Sequence, residues 1–201
     1  KGQELTHDQE ESHGFLILVK RPEVIAFLTA AFLMQVSHGA YYTFFSLFLE
    51  ETGYSKTLIG SLWAIGVVAE VLIFLVVHKL FANVSYKLVL VTSLFIAALR
   101  WSLTGYFADI LWLLILLQLT HAATFGTMNA VSMHYIHQYF QGKHQGQGQA
   151  LFSSLTYGAG GAVGAIMSGY VWEWDMGVTM LELSGLSALI GGVIAWIWVK
   201  K

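Results

Sequence analysis

The sequence predicts an all-α membrane protein of six spanning helices, arranged as two inverted three-helix repeats, and three observations carry that prediction. The composition is 56% hydrophobic and only 11% charged, against about 25% charged in an average soluble domain. Six apolar runs reach or exceed the ~20 residues that cross ~30 Å of hydrocarbon. A short motif in the first run returns in the fourth. Twenty glycines beside a single proline fit helices that pack closely through small residues.

Residues 1–20 read as a polar lead-in, with Glu4, Asp8, Glu10 and Glu11 and nothing able to bury a core. Residues 21–201 form the bundle, with spans expected at about 24–49, 57–77, 88–107, 110–139, 149–172 and 177–199. Arg21-Pro22 is a start signal for the first span, because proline is tolerated in the first turn, where its missing N–H costs nothing. Short polar links separate the rest. The chain starts at Lys1, and no small-residue cleavage site follows the first apolar run near Phe15. We therefore expect no signal peptide and a piece of a longer protein.

If the spans alternate, Lys1, Lys20, Arg21, Lys79, Lys87, Lys143, Lys200 and Lys201 share one side, and the other keeps only Lys56 with Glu50, Glu51, Asp109, Glu173 and Asp175. This asymmetry puts both termini in the cytoplasm, which requires an even number of spans. A formal charge of -2 argues against nucleic acid as a partner, and the lack of cysteine excludes disulfides and thiolate metal sites.

Gln35-Val36-Ser37-His38-Gly39-Ala40 in span 1 matches Gln118-Leu119-Thr120-His121-Ala122-Ala123 in span 4. An offset of three helices turns the second unit upside down, the inverted repeat of transporter halves. Chance or shared helix-packing needs are the other source of so short a match.

Ionisable groups deep in a membrane are costly and mark sites by default. Glu70 lies roughly 13 Å from the Lys79 boundary, Arg100 roughly 20 Å from Lys87 and His121 about 18 Å from Asp109, at 1.5 Å per residue. All three fall mid-bilayer. One reading of Glu70 and Arg100 is a self-neutralising pair between spans 2 and 3. The other is a substrate and proton site, since arginine presents a fork matched to a carboxylate and glutamate exchanges protons. Around them, Gln118, His121, Phe125, Asn129 and Ser132 recur at helical spacing along span 4, as Gln35, His38, Tyr42 and Phe45 do along span 1. Such mixed faces suit a ligand cavity, and interhelical hydrogen bonding is the plainer alternative.

Span 5 carries two ridges of small residues, Gly160, Gly164 and Ser168 beside Gly161, Ala165 and Gly169. They read as helix-packing surfaces, or as a surface that slides during a conformational change. Eight histidines raise the question of haem or metal. His134 and His137 share a face, but His78, His137 and His144 fall near the boundary, and no His-Glu-x-x-His run accompanies them. We expect no metal, no cofactor and no catalytic residue. Interfacial belts account for most of Trp63, Trp101, Trp112, Trp172 and Trp174.

Gln35 to Tyr42, Gly53-Tyr54-Ser55, Leu62 to Glu70, Arg100-Trp101 and His121 to Phe125 resemble the C-terminal half of the phenylpropionate permease family, within the major facilitator superfamily. The resemblance covers residues 15–199. It implies a twelve-helix protein whose N-terminal six helices are the missing partner of this half. It also implies that spans 1 and 4 line the cavity, and that Glu70, Arg100 and His121 match the carboxylate, arginine and histidine of the lactose permease. That permease has a further carboxylate one turn after the histidine, where this chain has Thr124, so Glu70 or the missing half must carry any proton. The basic loop motif between the second and third helices is reduced to His78-Lys79 and Lys87.

The functional expectation is half of a proton-coupled uptake transporter in a lipid bilayer, of the bacterial inner-membrane kind. Its partners are protons and a small organic solute, either an aromatic monocarboxylate or a sugar-like molecule. A non-transporting scaffold or sensor, with central charges that only lock helices, is the alternative; an enzyme lacks any nucleophile–base or metal constellation.

Overall fold

The computed structural model describes residues 14–175 and 177–200, with Asp175 described by its backbone only. Among the described residues, six helices are long and apolar enough to cross a membrane: α1 (Pro22–Glu51), α2 (Lys56–Asn83), α3 (Tyr86–Tyr106), α4 (Leu111–Tyr139), α5 (Gly142–Trp174) and α6 (Val178–Trp198). Their starts follow local chemistry. Arg21 is extended and hands over to Pro22 at the first turn. The hydroxyls of Ser55 and Ser85 accept from the backbone N–H groups of Leu58 and Leu88, capping α2 and α3.

Most of the lead-in expected over residues 1–20 lies outside the described residues. From residue 14 the chain is already helical as far as residue 19. Phe15 sits 5.5 Å from the Phe140 ring, and Leu18 and Val19 pack on the core. Partial burial of these three apolar side chains against the core accounts for the helix here.

α1 packs chiefly on α5 and α6, α4 packs chiefly on α2 and α3, and α3 and α6 pack on each other. Exchanging helices 1, 2, 3 with 4, 5, 6 leaves this pattern unchanged, as the inverted repeat requires. The first helix of each repeat buries itself against the other repeat, so neither unit can cover its apolar faces alone. Two apolar clusters result, one around Phe27, Leu94, Tyr135 and Phe140, the other around Tyr41, Leu49, Trp101 and Leu114. A buried polar layer separates them, containing His38, Arg100, Gln118, His121 and Thr124.

Two departures from regular helix were not predicted. α4 widens into a π-turn over Ala122–Gly126, immediately after His121, and α5 does so over Ser154–Gly160. Each accommodates an extra residue and re-aims the side chains beyond it.

The ridge Gly160, Gly164 and Ser168 faces α1, and a Cβ added at Gly164 would meet Val36 O and the Gly39 Cα. Backbone touches backbone there. A Cβ at Gly160 would lie 3.0 Å from Phe32 O, whereas Gly161 and Gly169 leave 3.8 Å to their nearest neighbours. Ala165, half-buried, approaches the same Gly39. The first ridge is therefore the tight one. We predict that Gly164→Val lowers stability by about 1–3 kcal/mol, the cost of overpacking, while Gly161→Ala changes little. Thermal or denaturant unfolding of both variants in detergent checks the contrast; equal losses would contradict it.

Candidate functional site

Four helices contribute to the polar layer. Arg100, from the middle of α3, is 1% exposed, so its charge is wholly inside the bundle. Its Nη1 donates to Nδ1 of His121 at 3.1 Å and to the Thr124 hydroxyl at 3.4 Å, and its Nη2 donates to Gln118 Oε1 at 3.5 Å. The guanidinium carbon lies 4.7 Å from the Tyr41 ring centre and 4.3 Å from that of Trp101. These π faces offset part of the cost of burying the cation. Among the described residues no carboxylate bonds it and its Nε has no partner.

Tyr41 donates to Gln118 Oε1 at 2.8 Å, which fixes that amide with its oxygen toward Arg100 and its Nε2 unpartnered. The protons on His121 follow from its neighbours. A guanidinium only donates, so Nδ1 must accept and the ring hydrogen sits on Nε2. Nε2 faces Glu70 Oε2 at 3.7 Å, which is longer than a hydrogen bond and short enough for a small shift to make one. Glu70, His121 and Arg100 thus stand in line, with histidine between the two charges. The neutralising Glu70–Arg100 pair that the sequence allowed is not formed. Gly126, at the end of the π-turn, makes the alignment possible: a Cβ there would meet Ile73 Cγ2 at 2.7 Å and Glu70 Cγ at 3.3 Å, forcing α2 away.

His38 and His121, the two repeated histidines, come together with ring centres 5.8 Å apart. Nδ1 of His38 bonds Met34 O at 2.9 Å. A carbonyl only accepts, so Nε2 of His38 holds a bare lone pair, buried and unpartnered among the described residues. Tyr42, 43% exposed, contacts the rings of Trp63, His121 and Phe125 and forms the open rim.

The remaining candidates lie elsewhere. Gln35 and Asn129 line a separate small cleft between α1, α4 and α5, and Asn129 Oδ1 accepts from Tyr157 at 3.0 Å. Of the expected span 1 stripe, Phe45 is core. Two of the five tryptophans lie inside the bundle beside the polar cluster and are not part of a belt. Trp101 is fully buried under Arg100, its Nε1 donating to Ser37 at 3.3 Å. Trp63 donates to Ser46 at 2.9 Å and lies 4.4 Å from the Tyr41 ring. Trp63, Gly66 and Glu70 recur at helical spacing on α2, and that signal could have found Trp63. Trp112 and Trp174, 64% and 82% exposed, remain where a belt would have them. His134 stacks on Tyr86 at 3.4 Å and His137 bonds Gln145, so neither holds the other in a chelating pair.

A multi-pass helical bundle that interlocks two inverted repeats around a buried arginine, with a histidine and a carboxylate beyond it, defines the class of membrane transport domains. Residues 1–182 match the model of the MFS_1 like family. The chain belongs to this family of the major facilitator superfamily. It is 33% identical over 169 residues to the probable 3-phenylpropionic acid transporter of Escherichia coli (strain K12), covering 83% of this chain and 44% of that protein. It is 22% identical over 191 residues to the uncharacterized transporter YwbF of Bacillus subtilis (strain 168), covering 94% of this chain and 47% of that protein. The chain thus spans about half the length of these curated relatives.

Proposed function

We propose that the chain is one six-helix half of a proton-coupled importer of a small aromatic monocarboxylate, working by alternating access together with a second six-helix half. The observation that carries this reading is Arg100: a buried guanidinium whose hydrogen-bond partners are all neutral has its charge unspent. A carboxylate would complete it with two parallel N–H···O bonds. Tyr41, Tyr42, Trp63 and Phe125 supply aromatic surface around it, and the E. coli relative's printed solute is an aryl carboxylic acid. Glu70 is the group that exchanges the proton, and His121 relays between it and Arg100. Rocking between inward-open and outward-open states exposes the layer to each side in turn.

Uptake of labelled 3-phenylpropionate by cells expressing the full-length gene product tests the reading. Accumulation above the external concentration, abolished by a protonophore, is the expected result; equilibration without accumulation removes proton coupling.

The topology belonging to this reading has both chain ends in the cytoplasm of a bacterial inner membrane. Glu23 and Lys200 pair at 3.2 Å across the start of α1 and the end of α6, and Glu50 pairs with Lys56 at the opposite end of the bundle. A reporter fused after Lys143 should therefore be active only in its cytoplasmic form, and one fused after Lys56 only in its external form.

A further inference from the structure

The cleft between α1, α4 and α5 is the pseudo-symmetric counterpart of the charged cluster. Under the repeat, α1 and α5 exchange with α4 and α2, and Gln35 exchanges with Gln118. The charged cluster has Glu70 and Arg100 beside its glutamine. The cleft is walled largely by Ala31, Met34, Phe125, Met128 and Phe152, with Gln35, Asn129, Ser132 and Thr156 set among them and no carboxylate, imidazole or cation in its lining.

Two hydroxyls in that cleft stand out. Ser132 is 0% exposed and Thr156 5% exposed, and neither oxygen has a hydrogen-bond partner among the described residues. Serine and threonine in a helix usually return such a bond to their own backbone; these two do not. Gln35 and Asn129 add amides, with Asn129 Oδ1 already committed to Tyr157. The cavity volume of ≈ 10 Å³ is room for about one water-sized group. A whole solute does not fit, and a single hydroxyl does.

Phe125 stands between the charged cluster and the cleft. Its ring stacks on His121 at 5.3 Å with only 6° between planes and also meets His38 and Tyr42, while Tyr157, from the cleft, lies 6.4 Å away. A solute held by its carboxylate at Arg100 and lying along Phe125 would direct its far end toward Ser132 and Thr156.

Building on the transport reading above, we propose that Ser132 and Thr156, framed by Gln35 and Asn129, form a hydroxyl-recognition subsite that makes the transporter prefer aromatic monocarboxylates bearing a ring hydroxyl remote from the carboxylate. The hydroxyl donates to one side chain and accepts from the other, so both orphaned oxygens are satisfied at once. A solute without the hydroxyl leaves them unpaired, and that difference is the origin of the selectivity.

The test compares uptake of 3-phenylpropionate and of its ring-hydroxylated analogues by cells expressing the full-length protein, unmodified or carrying Ser132→Ala with Thr156→Val. These replacements keep shape and remove both hydroxyls. The unmodified protein is expected to take up one hydroxylated isomer about tenfold more efficiently, the value of one to two hydrogen bonds. The double variant should lose that preference while its uptake of 3-phenylpropionate stays near normal, and Thr156→Ser should retain it. Equal handling of all solutes by the unmodified protein, or an unchanged preference in the double variant, overturns the subsite and leaves the transport reading standing; the cleft is then the seat of an ordered water. Failure of the unmodified protein to take up any of them overturns the transport reading and this inference together.

Discussion

Arg100→Lys is expected to reduce uptake of an aromatic monocarboxylate by about 100-fold, chiefly by raising the concentration needed for half-maximal rate. Lysine keeps the charge, so a purely electrostatic role would survive the change. What is lost is the fork. Nη1 reaches His121 and Thr124 while Nη2 reaches Gln118, and an incoming carboxylate needs two parallel donors that one ammonium cannot supply. Charge-assisted hydrogen bonds contribute about 1.5–3 kcal/mol each, and 1.4 kcal/mol is tenfold in binding. Stability should move the other way. Arg100→Met removes a buried cation that no carboxylate compensates, and such replacements are often neutral or stabilising. A variant that melts no earlier than the parent yet binds no solute would separate a recognition role from a structural one. If Arg100→Lys transports normally, or Arg100→Met prevents insertion into the membrane, the guanidinium serves the fold and the site lies elsewhere.

Apolar run lengths made the six helices legible in the sequence, because crossing hydrocarbon with every backbone group bonded leaves few options. Arg100, Glu70 and His121 were legible for the related reason that burying charge there is costly enough to need a cause. The order of those three was not. Spacing along a helix gives depth and face, but the position of His121 between Glu70 and Arg100 depends on the π-turn at Ala122–Gly126 and on how near Gly126 lets α2 come. Nothing in the residues of 122–126 announces a π-turn, since its extra residue is held by packing against α2. The same limit explains Trp63 and Trp101. Tryptophan fits an interface by amphipathicity, and only the tertiary fold shows that Ser46 and Ser37 satisfy these two indoles inside the bundle. Gln35 and Asn129 were grouped with the charged residues because they share their stripes; the packing of α5 against α1 places them in a separate cleft.

That interlocking bears on how the chain folds. α1 and α4 each find their main partners in the opposite repeat, so the first three helices remain incompletely covered until the last three arrive. His38 and His121, from equivalent places in the two repeats, meet only when both units are assembled. The polar layer is therefore a product of the pairing of the repeats and belongs to neither repeat by itself.

Glu70→Gln is expected to retain binding and exchange of solute across the membrane while losing accumulation against a gradient, by at least ten-fold. Glutamine keeps the shape and can still accept from Nε2 of His121, so the line of side chains from α2 to α3 persists. It cannot take up a proton. In the intact cluster, a solute carboxylate that joins Arg100 brings a second negative charge into a water-poor layer that already holds Glu70. Binding one proton with the solute offsets that charge, and the two binding events are then coupled and reciprocal. In the proposed coupling His121 would carry the message: with Arg100 turned to the solute, its Nδ1 would be released from the guanidinium, with its Nε2–H still aimed at Glu70, 3.7 Å away. A histidine that only holds helices together predicts a different outcome, because then exchanging the charges, Glu70→Arg with Arg100→Glu, should preserve a neutral bundle and leave active uptake almost intact. Counterflow and protonophore-sensitive accumulation, measured side by side in cells expressing full-length protein, decide between them. The coupling role requires normal counterflow with no accumulation for Glu70→Gln and loss of both for the exchanged pair. Near-normal accumulation in either variant would falsify it.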